Sequence, residues 1–540
     1  MIKKIEIKLK LYPFIVGVSP ILILFTNNLG EVEVSEIWRS FLGGIILTAL
    51  SLLVSWLVFH DVPKASLLTS AIMISVLAYG HVYDGLKEIE LLIPFARHRF
   101  LLTLNILFIL VFGLLLWKRI KNTEPLESFF TWFCVFILIF PLYKIGVYYL
   151  FSNAKVVNTN IGSQNESLVI ENETKPDIYY IILDGYGRED TLQEFYSFDN
   201  SAFLNELNEL GFYIARSATS NYPQTLLSLS SSLNFQYVDD TLLTMDPFSN
   251  DRRVLADKIL HSRIRQMLGE YDYSFVAFDT GYITSVEDAD IYYKYYGSQN
   301  QGQSFFFSMN SFESLLFEQT ILRPLIDIGV INQKYLKDTL EAPYIHHRGR
   351  VLFAFEKLVQ MPNMDGDYFI FAHIIAPHPP FVFGKNGEFI SHTAAYTLGD
   401  TAENAAGTQH GTRDEYIQSY IDEMQYINSI VLRTVKTILS ESDSPPIIII
   451  QGDHGPGAYL DWSDKENSNL RDRFSILNAY YLAGRERNLL YPSISPVNTF
   501  RVILNEFFST DMEMLPDRNF FSLWLTPFQL EDVTHEVTGK

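Results

Sequence analysis

Long unbroken apolar stretches in the first 151 residues constrain this chain more than any other feature. In hydrocarbon a backbone must satisfy its own N–H and C=O groups, and a helix does so within one segment. With about 1.5 Å of rise per residue and a hydrocarbon core about 30 Å thick, a crossing needs about 17 to 25 residues. Five spans are expected, at roughly 11–27, 41–60, 65–82, 100–117 and 129–151, the first being the shortest. Arg39 separates the first two; Asp61, Pro63 and Lys64 break the chain before the third; Lys118, Arg119 and Lys121 lie between the last two. Lys3, Lys4, Lys8, Lys10, Lys64, Lys118, Arg119 and Lys121 fall on one side, against Arg39, Lys87, Arg97 and Arg99 on the other. That excess places the amino terminus inside. An odd number of crossings then exports everything after Phe151 across an inner or plasma membrane. The bundle serves as an anchor; Pro141 and Lys144 inside the last span hint that it also guides a lipid-linked substrate, since a charge in hydrocarbon needs a partner or water.

The remaining residues have the mixed pattern of a soluble domain. Residues 152–176, rich in Asn, Glu and Thr and without periodicity, read as a hydrated linker, so that 1–151 form the transmembrane domain and 177–540 the exported domain. A net charge of −21, from 41 basic and 62 acidic side chains, gives no footprint for a nucleic acid. Cys134, in an apolar span, is the only cysteine. The exported domain therefore has no disulfide, no thiolate ligand and no cysteine nucleophile.

Within that domain the run Ile178-Tyr-Tyr-Ile-Ile-Leu183 ends at Asp184-Gly185, and Ile447-Ile-Ile-Ile450 ends at Gly452-Asp453-His454-Gly455. Such continuous apolar runs are strands buried on both faces of a largely parallel sheet, whose carboxyl ends are where open α/β sheets build sites. Further strands are expected at 211–215, 273–278, 368–375 and 474–482, with helical spacing at 201–210, 225–233, 253–268, 350–361, 416–439 and 497–508. Repeated strand and helix units predict an α/β sandwich, a central mostly parallel sheet flanked by helices. No glycine-rich dinucleotide fingerprint follows a strand. Asp184, Asp453 and His454 are the first candidates for a metal site. Thr225, opening a helix whose N–H groups aim at an anion, is positioned to complete the set as a metal-activated nucleophile.

Asp184, Ser220-Asn-Tyr-Pro-Gln-Thr225, Ala376-Pro-His-Pro-Pro-Phe381 and Gly452-Asp-His-Gly455 together resemble, in kind and order, the alkaline phosphatase and sulfatase superfamily. The similarity covers about 176–515 and is to the membrane-anchored bacterial phosphoglycerol and phosphoethanolamine transferases and their sulfatase-like relatives. Five spans before an external domain also resemble the lipoteichoic acid synthase arrangement. The resemblance implies that Asp184, Thr225, Asp453 and His454 hold the metal, that Thr225 is the covalent nucleophile, and that His378 faces the transferred group or the leaving oxygen. It implies a lipid or lipid-linked donor and a cell-envelope glycan or small-molecule acceptor.

The chain departs from that pattern in two places. Sulfatases open a Cys/Ser-x-Pro-x-Arg stretch where this chain has Thr225-Leu226-Leu227, and no Asp-x-x-x-His pair stands in 368–383. One divalent ion, Mn²⁺ or Zn²⁺, is expected, with a second left open through His373, His378 and His410. The simpler readings make Asp184 a turn residue, Thr225 a helix-start hydroxyl, His378 a turn residue and His373 a fold support. His346, His347, Arg348 and His410 belong to a surface or lid, and 282–340 and 384–412 are candidate lids. Arg471 and Arg473 are candidates for an anionic head group, Asn221 for orienting Thr225, and Ser220, Ser228 and Ser230 are reserve nucleophiles. The competing functions are a phosphate- or sulfate-ester hydrolase, and an inactive domain that binds an envelope glycan or a partner.

Overall fold

The computed structural model describes residues 10–29, 32, 34–151, 175–238, 247, 249–297, 310–327, 334–392, 396–402, 412–482, 485 and 487–539. The expected linker therefore lies, up to residue 174, outside the described residues. So does His410, and so do parts of both candidate lids.

The chain divides into two compact units, residues 1–157 with 305–342, and residues 158–304 with 343–540. The first holds α1 (Tyr12–Asn27), α2 (Val34–Phe59), α3 (Val62–Leu77), α4 (Tyr79–Glu88), α5 (His98–Lys118) and α6 (Glu124–Phe151). Among the described residues three helices are long and apolar enough to cross a membrane, within α2, α5 and α6. Leu50, Leu57, Trp132 and Phe136 turn outward along them, the inverse of a water-soluble surface.

The expectation of five spans is thus reduced to three, or four if α3 and α4 count as one broken span bent by 47°. The sequence shows no such bend, because apolar residues continue across the break at Ala78. α1 is apolar but has 16 residues, about 24 Å of helix at 1.5 Å per residue, short of a 30 Å core.

The same unit includes a stretch not expected there. The helix Ser311–Gln319 opens with a capping box made by Asn310 and Glu313. Its Glu313 Oε1 accepts from Arg39 Nε of α2 at 2.8 Å, and Phe312 is buried among Ile21, Leu24, Phe25 and Ile37.

The second unit is built on a seven-stranded sheet. Its strands are β1 (Ile178–Leu183), β2 (Tyr213–Ile214), β3 (Ser274–Phe278), β4 (Ile291–Tyr293), β5 (Tyr368–Ile374), β6 (Ile447–Gln451) and β7 (Asn478–Leu482), in the order β2-β7-β6-β1-β5-β3-β4. β6, β1, β5, β3 and β4 run parallel, while β7 is antiparallel to β6 and to β2, so the sheet is mixed. Successive side chains point to opposite faces. Tyr179, Ile181, Leu183, Ile370, Ala372, Ile448 and Ile450 enter one core, with Tyr420, Met424, Ile427 and Val431 of the helix Arg413–Glu441. Ile178, Tyr180, Ile182, Phe369, Phe371, Ile447 and Ile449 enter the other. There they meet Leu226, Leu229 and Leu233 of α9 (Thr225–Asn234), and Phe500 and Ile503 of the helix Pro496–Phe507. α7 (Glu189–Tyr196) and α8 (Ser201–Glu209) follow β1. The two cores make a helix–sheet–helix sandwich, and β1, flanked by β6 and β5, sends its carboxyl end out at the middle of the sheet.

Candidate metal centre

Three loops meet at that point. Asp184 follows β1; Asp453 and His454 follow β6; Thr225 begins α9 (all from the same end of the sheet). Gly185, at φ +72°, takes a left-handed turn that favours glycine, and its N–H donates to Asp453 Oδ1 at 3.1 Å. The His454 N–H donates to the same oxygen at 3.0 Å. Ser228, one turn into α9, donates through Oγ to Asp453 O at 2.7 Å, so the helix start is tied to the loop it faces. Gly455 is required by crowding: a Cβ there would lie 2.1 Å from Asp472 O.

Asp184, Asp453 and His454 are all buried, and Asp184 Oδ1 and Asp453 Oδ2 have no hydrogen-bond partner among the described residues. His454 Nδ1 lies 2.9 Å from Gly455 O, a group that only accepts, so the ring proton is on Nδ1 and Nε2 is bare. That bare nitrogen is 3.4 Å from Asp184 Oδ1, 3.4 Å from Asp453 Oδ2 and 3.1 Å from Thr225 Oγ1. Lone pairs of two carboxylates and an imidazole crowded together in a buried space repel unless a cation lies among them. Four ligands at about 2.1 Å in a tetrahedron stand about 3.4 Å apart. The oxygens and nitrogen present therefore fit one divalent cation. Burial, with Arg473 adding to it, lowers the His454 pKa, and this keeps the ring neutral as a ligand requires. Burial works against ionisation of Asp184, but His378, His373 and His454 outweigh it and hold its carboxyl well below the usual range.

Among the described residues two groups of donor atoms lie within 4.8 Å of one another: Asp184, His378 and His454, and Asp184, His373 and Asp453. His378 Nδ1 is 2.6 Å from Pro379 O, which places a proton on Nδ1, and its Nε2 lies 4.0 Å from Asp400 Oδ2. Its ring centroid is 6.0 Å from that of His454.

At the start of α9 the cap residue makes no side-chain bond to the first turn among the described residues. The cap residue Gln224 instead donates through Nε2 to Ser522 Oγ at 3.0 Å and accepts from Arg252 at 3.0 Å. The first N–H groups are left for an anion beside Thr225.

Other candidates are placed differently from expectation. Arg473 is buried and turned inward, donating to Pro223 O at 2.9 and 2.6 Å, to Gly455 O at 3.0 Å and to Asp400 Oδ2 at 2.6 Å. It clamps the loops of Thr225 and His454 rather than standing free for a head group. Arg471 pairs with Asp190 and Glu194. Asn221 holds Ser495, Arg518 and Val497, not Thr225. Ser228 and Ser230 donate to the carbonyls of Asp453 and Leu227, and Ser220 is fully buried. Asp400 was not singled out by the sequence, where it stands in a polar stretch without period; its role appears only through Arg473 and through Trp462 Nε1, which donates to Oδ1 at 2.7 Å.

A family model described as Sulfatase matches residues 176–493. The chain belongs to the sulfatase family. It is accordingly a member of an enzyme superfamily, with an N-terminal multi-pass helical region followed by a large extracytoplasmic catalytic domain. No curated protein matches the chain. Among solved structures it is similar to the C-terminal periplasmic domain of EptC from Escherichia coli, at 11% identity, covering 68% of this chain and 95% of that one, with a TM-score of 0.40. It is similar to the lipooligosaccharide phosphoethanolamine transferase A from Neisseria meningitidis at 11% identity, over 92% and 94% of the two chains, with a TM-score of 0.36. The putative sulfatase yidJ from Bacteroides fragilis shares 13% identity over 67% and 84%, with a TM-score of 0.36. This sulfatase-family chain has threonine at the helix-start position of its site, so the cysteine-derived aldehyde of hydrolytic sulfatases has no source there.

Proposed function

We propose that the protein transfers a phosphoryl-linked head group, of the phosphoglycerol or phosphoethanolamine kind, from a membrane lipid or lipid-linked donor to an envelope glycan or small-molecule hydroxyl. Thr225 is the covalent nucleophile, Asp184, Asp453, His454 and Thr225 are the metal ligands, and His378 is the acid and base. The observation that carries this reading is the Thr225 hydroxyl, 3.1 Å from His454 Nε2 at an uncapped helix start, beside two carboxylate oxygens without partners.

A bound Mn²⁺ or Zn²⁺ would supply the positive charge that lets the Thr225 hydroxyl ionise. Thr225 Oγ1 attacks phosphorus and the bond from phosphorus to the donor's ester oxygen breaks. The free N–H groups of α9 receive the oxygens on which charge accumulates. His378, with Asp400 beside its Nε2, gives a proton from that nitrogen to the departing alcohol. Left neutral, its Nε2 takes the proton of the incoming hydroxyl while that oxygen displaces Thr225. Two steps of moderate height replace one high barrier. Water as the second acceptor gives hydrolysis by the same residues, and turnover with and without an added hydroxyl acceptor separates the two.

Purified full-length protein incubated with a head-group-labelled phosphatidylglycerol or phosphatidylethanolamine should carry the label on the peptide containing Thr225, and Thr225→Val should carry none. Label found reproducibly on a different residue defeats the assignment.

A further inference from the structure

His373 is the odd one of the three histidines around Asp184. It sits inside β5, buried, with Nε2 3.1 Å from Asp184 Oδ2 and Nδ1 2.8 Å from Thr284 Oγ1. In His454 and His378 the nitrogen facing a pure acceptor is Nδ1, so in each it is Nε2 that turns toward the site. In His373 the nitrogen facing a pure acceptor is Nε2, because an ionised carboxylate has no hydrogen to give. Its proton must then be on Nε2, and Nδ1 accepts from the Thr284 hydroxyl. Thr284 is itself buried and held: its Oγ1 is 3.3 Å from Thr280 Oγ1, which accepts from the Tyr282 N–H at 3.0 Å and lies 2.9 Å from Ser285 Oγ.

Resting on the metal centre proposed above, we infer that His373 is a positioning residue and not a ligand: it fixes Asp184 through Oδ2, with Thr284 setting its tautomer, so that Oδ1 alone binds and the site holds one ion. A histidine with its Nε2 proton in place has no lone pair to offer the donor group of Asp184, His373 and Asp453, although these lie within 4.8 Å of one another. The hydrogen bond to Oδ2 also aims Oδ1, the oxygen without a partner, at His454. Such supports of a ligand are worth about 10- to 100-fold in metal affinity.

The test uses the full-length protein in detergent, stripped with a chelator and titrated calorimetrically with Mn²⁺ and, separately, with Zn²⁺. One ion should bind per chain. His373→Leu should weaken it about 10- to 100-fold, and Thr284→Val, which keeps the shape and removes the hydroxyl donor, should weaken it in the same direction. His373→Gln, whose amide N–H still reaches Asp184, and Thr284→Ser should restore affinity. Circular dichroism of each variant identifies any that fail to fold; Thr284→Val, the smallest change, then carries the comparison. Two ions in the unsubstituted protein with one lost in His373→Gln overturn the inference, as do folded Leu and Val variants that bind as tightly as the parent. No binding of either ion to the unsubstituted protein would instead bring down the metal centre itself.

Discussion

Replacing Arg473 by methionine should unfold the catalytic domain more readily and in a pH-dependent way. Arg473 is 1% exposed, and its guanidinium donates to Pro223 O, Gly455 O and Asp400 Oδ2. Methionine fills a similar volume but leaves the Asp400 carboxylate buried with the Trp462 N–H and the more distant His378 ring, and without its strongest partner. Removing one partner of a buried pair costs about 3–5 kcal/mol. At about 2–4 °C per kcal/mol this is roughly 6–20 °C in the unfolding midpoint. In the parent protein burial pushes the Asp400 carboxyl up, but Arg473, together with His378, His454 and the Trp462 N–H, outweighs it and the pKa lies below its ordinary value. That contribution is present above the unfolded pKa near 3.9 and is lost as pH falls through the lower folded value. In Arg473→Met burial loses its strongest opponent, so the folded pKa of Asp400 rises relative to the parent and the buried charge is relieved earlier on acidification. The gap between parent and variant should therefore be widest near neutral pH and narrow as the pH is lowered through the variant's raised value, by thermal unfolding of the full-length protein in detergent. Adding Asp400→Asn should recover most of the loss. A loss below about 1 kcal/mol, the level of an exposed pair, or a double variant no better than the single, refutes the reasoning.

Glu423 is fully buried and accepts from the N–H groups of Val382 and Phe383 at 2.6 and 3.0 Å. Burial pushes its carboxyl up to about 8 against those two bonds, so stability falls as pH rises from about 4.3 to 8, and Glu423→Gln should remove up to about 1.4 kcal/mol per pH unit of that slope; an unchanged slope in pH-dependent unfolding contradicts it. Gly455→Ala places a Cβ 2.1 Å from Asp472 O, a backbone atom. It should displace the His454 loop, lowering stability by about 1–3 kcal/mol and metal affinity together, and a variant with both intact would show that the loop yields.

The strands were legible because burial on both faces leaves an unmistakable apolar run, as in Ile178–Leu183 and Ile447–Ile450. Their ends then placed Asp184, Asp453 and His454, and the spacing of Leu226, Leu229 and Leu233 placed Thr225 on a helix start; the structure brings all four side chains together. Hydrogen-bond partners have no comparable period. Nothing in the polar stretch around Asp400 or the irregular one around Thr284 distinguishes these residues from their neighbours. The direction of Arg473 also depends on what lies behind it, Asp400 and Trp462, and not on its place in the sequence. In the membrane region hydropathy reported apolar character but not the 47° bend, nor the grouping of 305–342 with the first unit. That grouping is carried partly by an ion pair between Arg39 and Glu313, which are far apart in sequence.

An anomalous difference map, recorded at the manganese or zinc edge from crystals of the protein grown with that ion, is the most direct test of the proposed metal centre. One peak should lie enclosed by Asp184 Oδ1, Asp453 Oδ2, His454 Nε2 and Thr225 Oγ1. A peak bound elsewhere in the domain, or these four atoms without a peak under saturating metal, contradicts it.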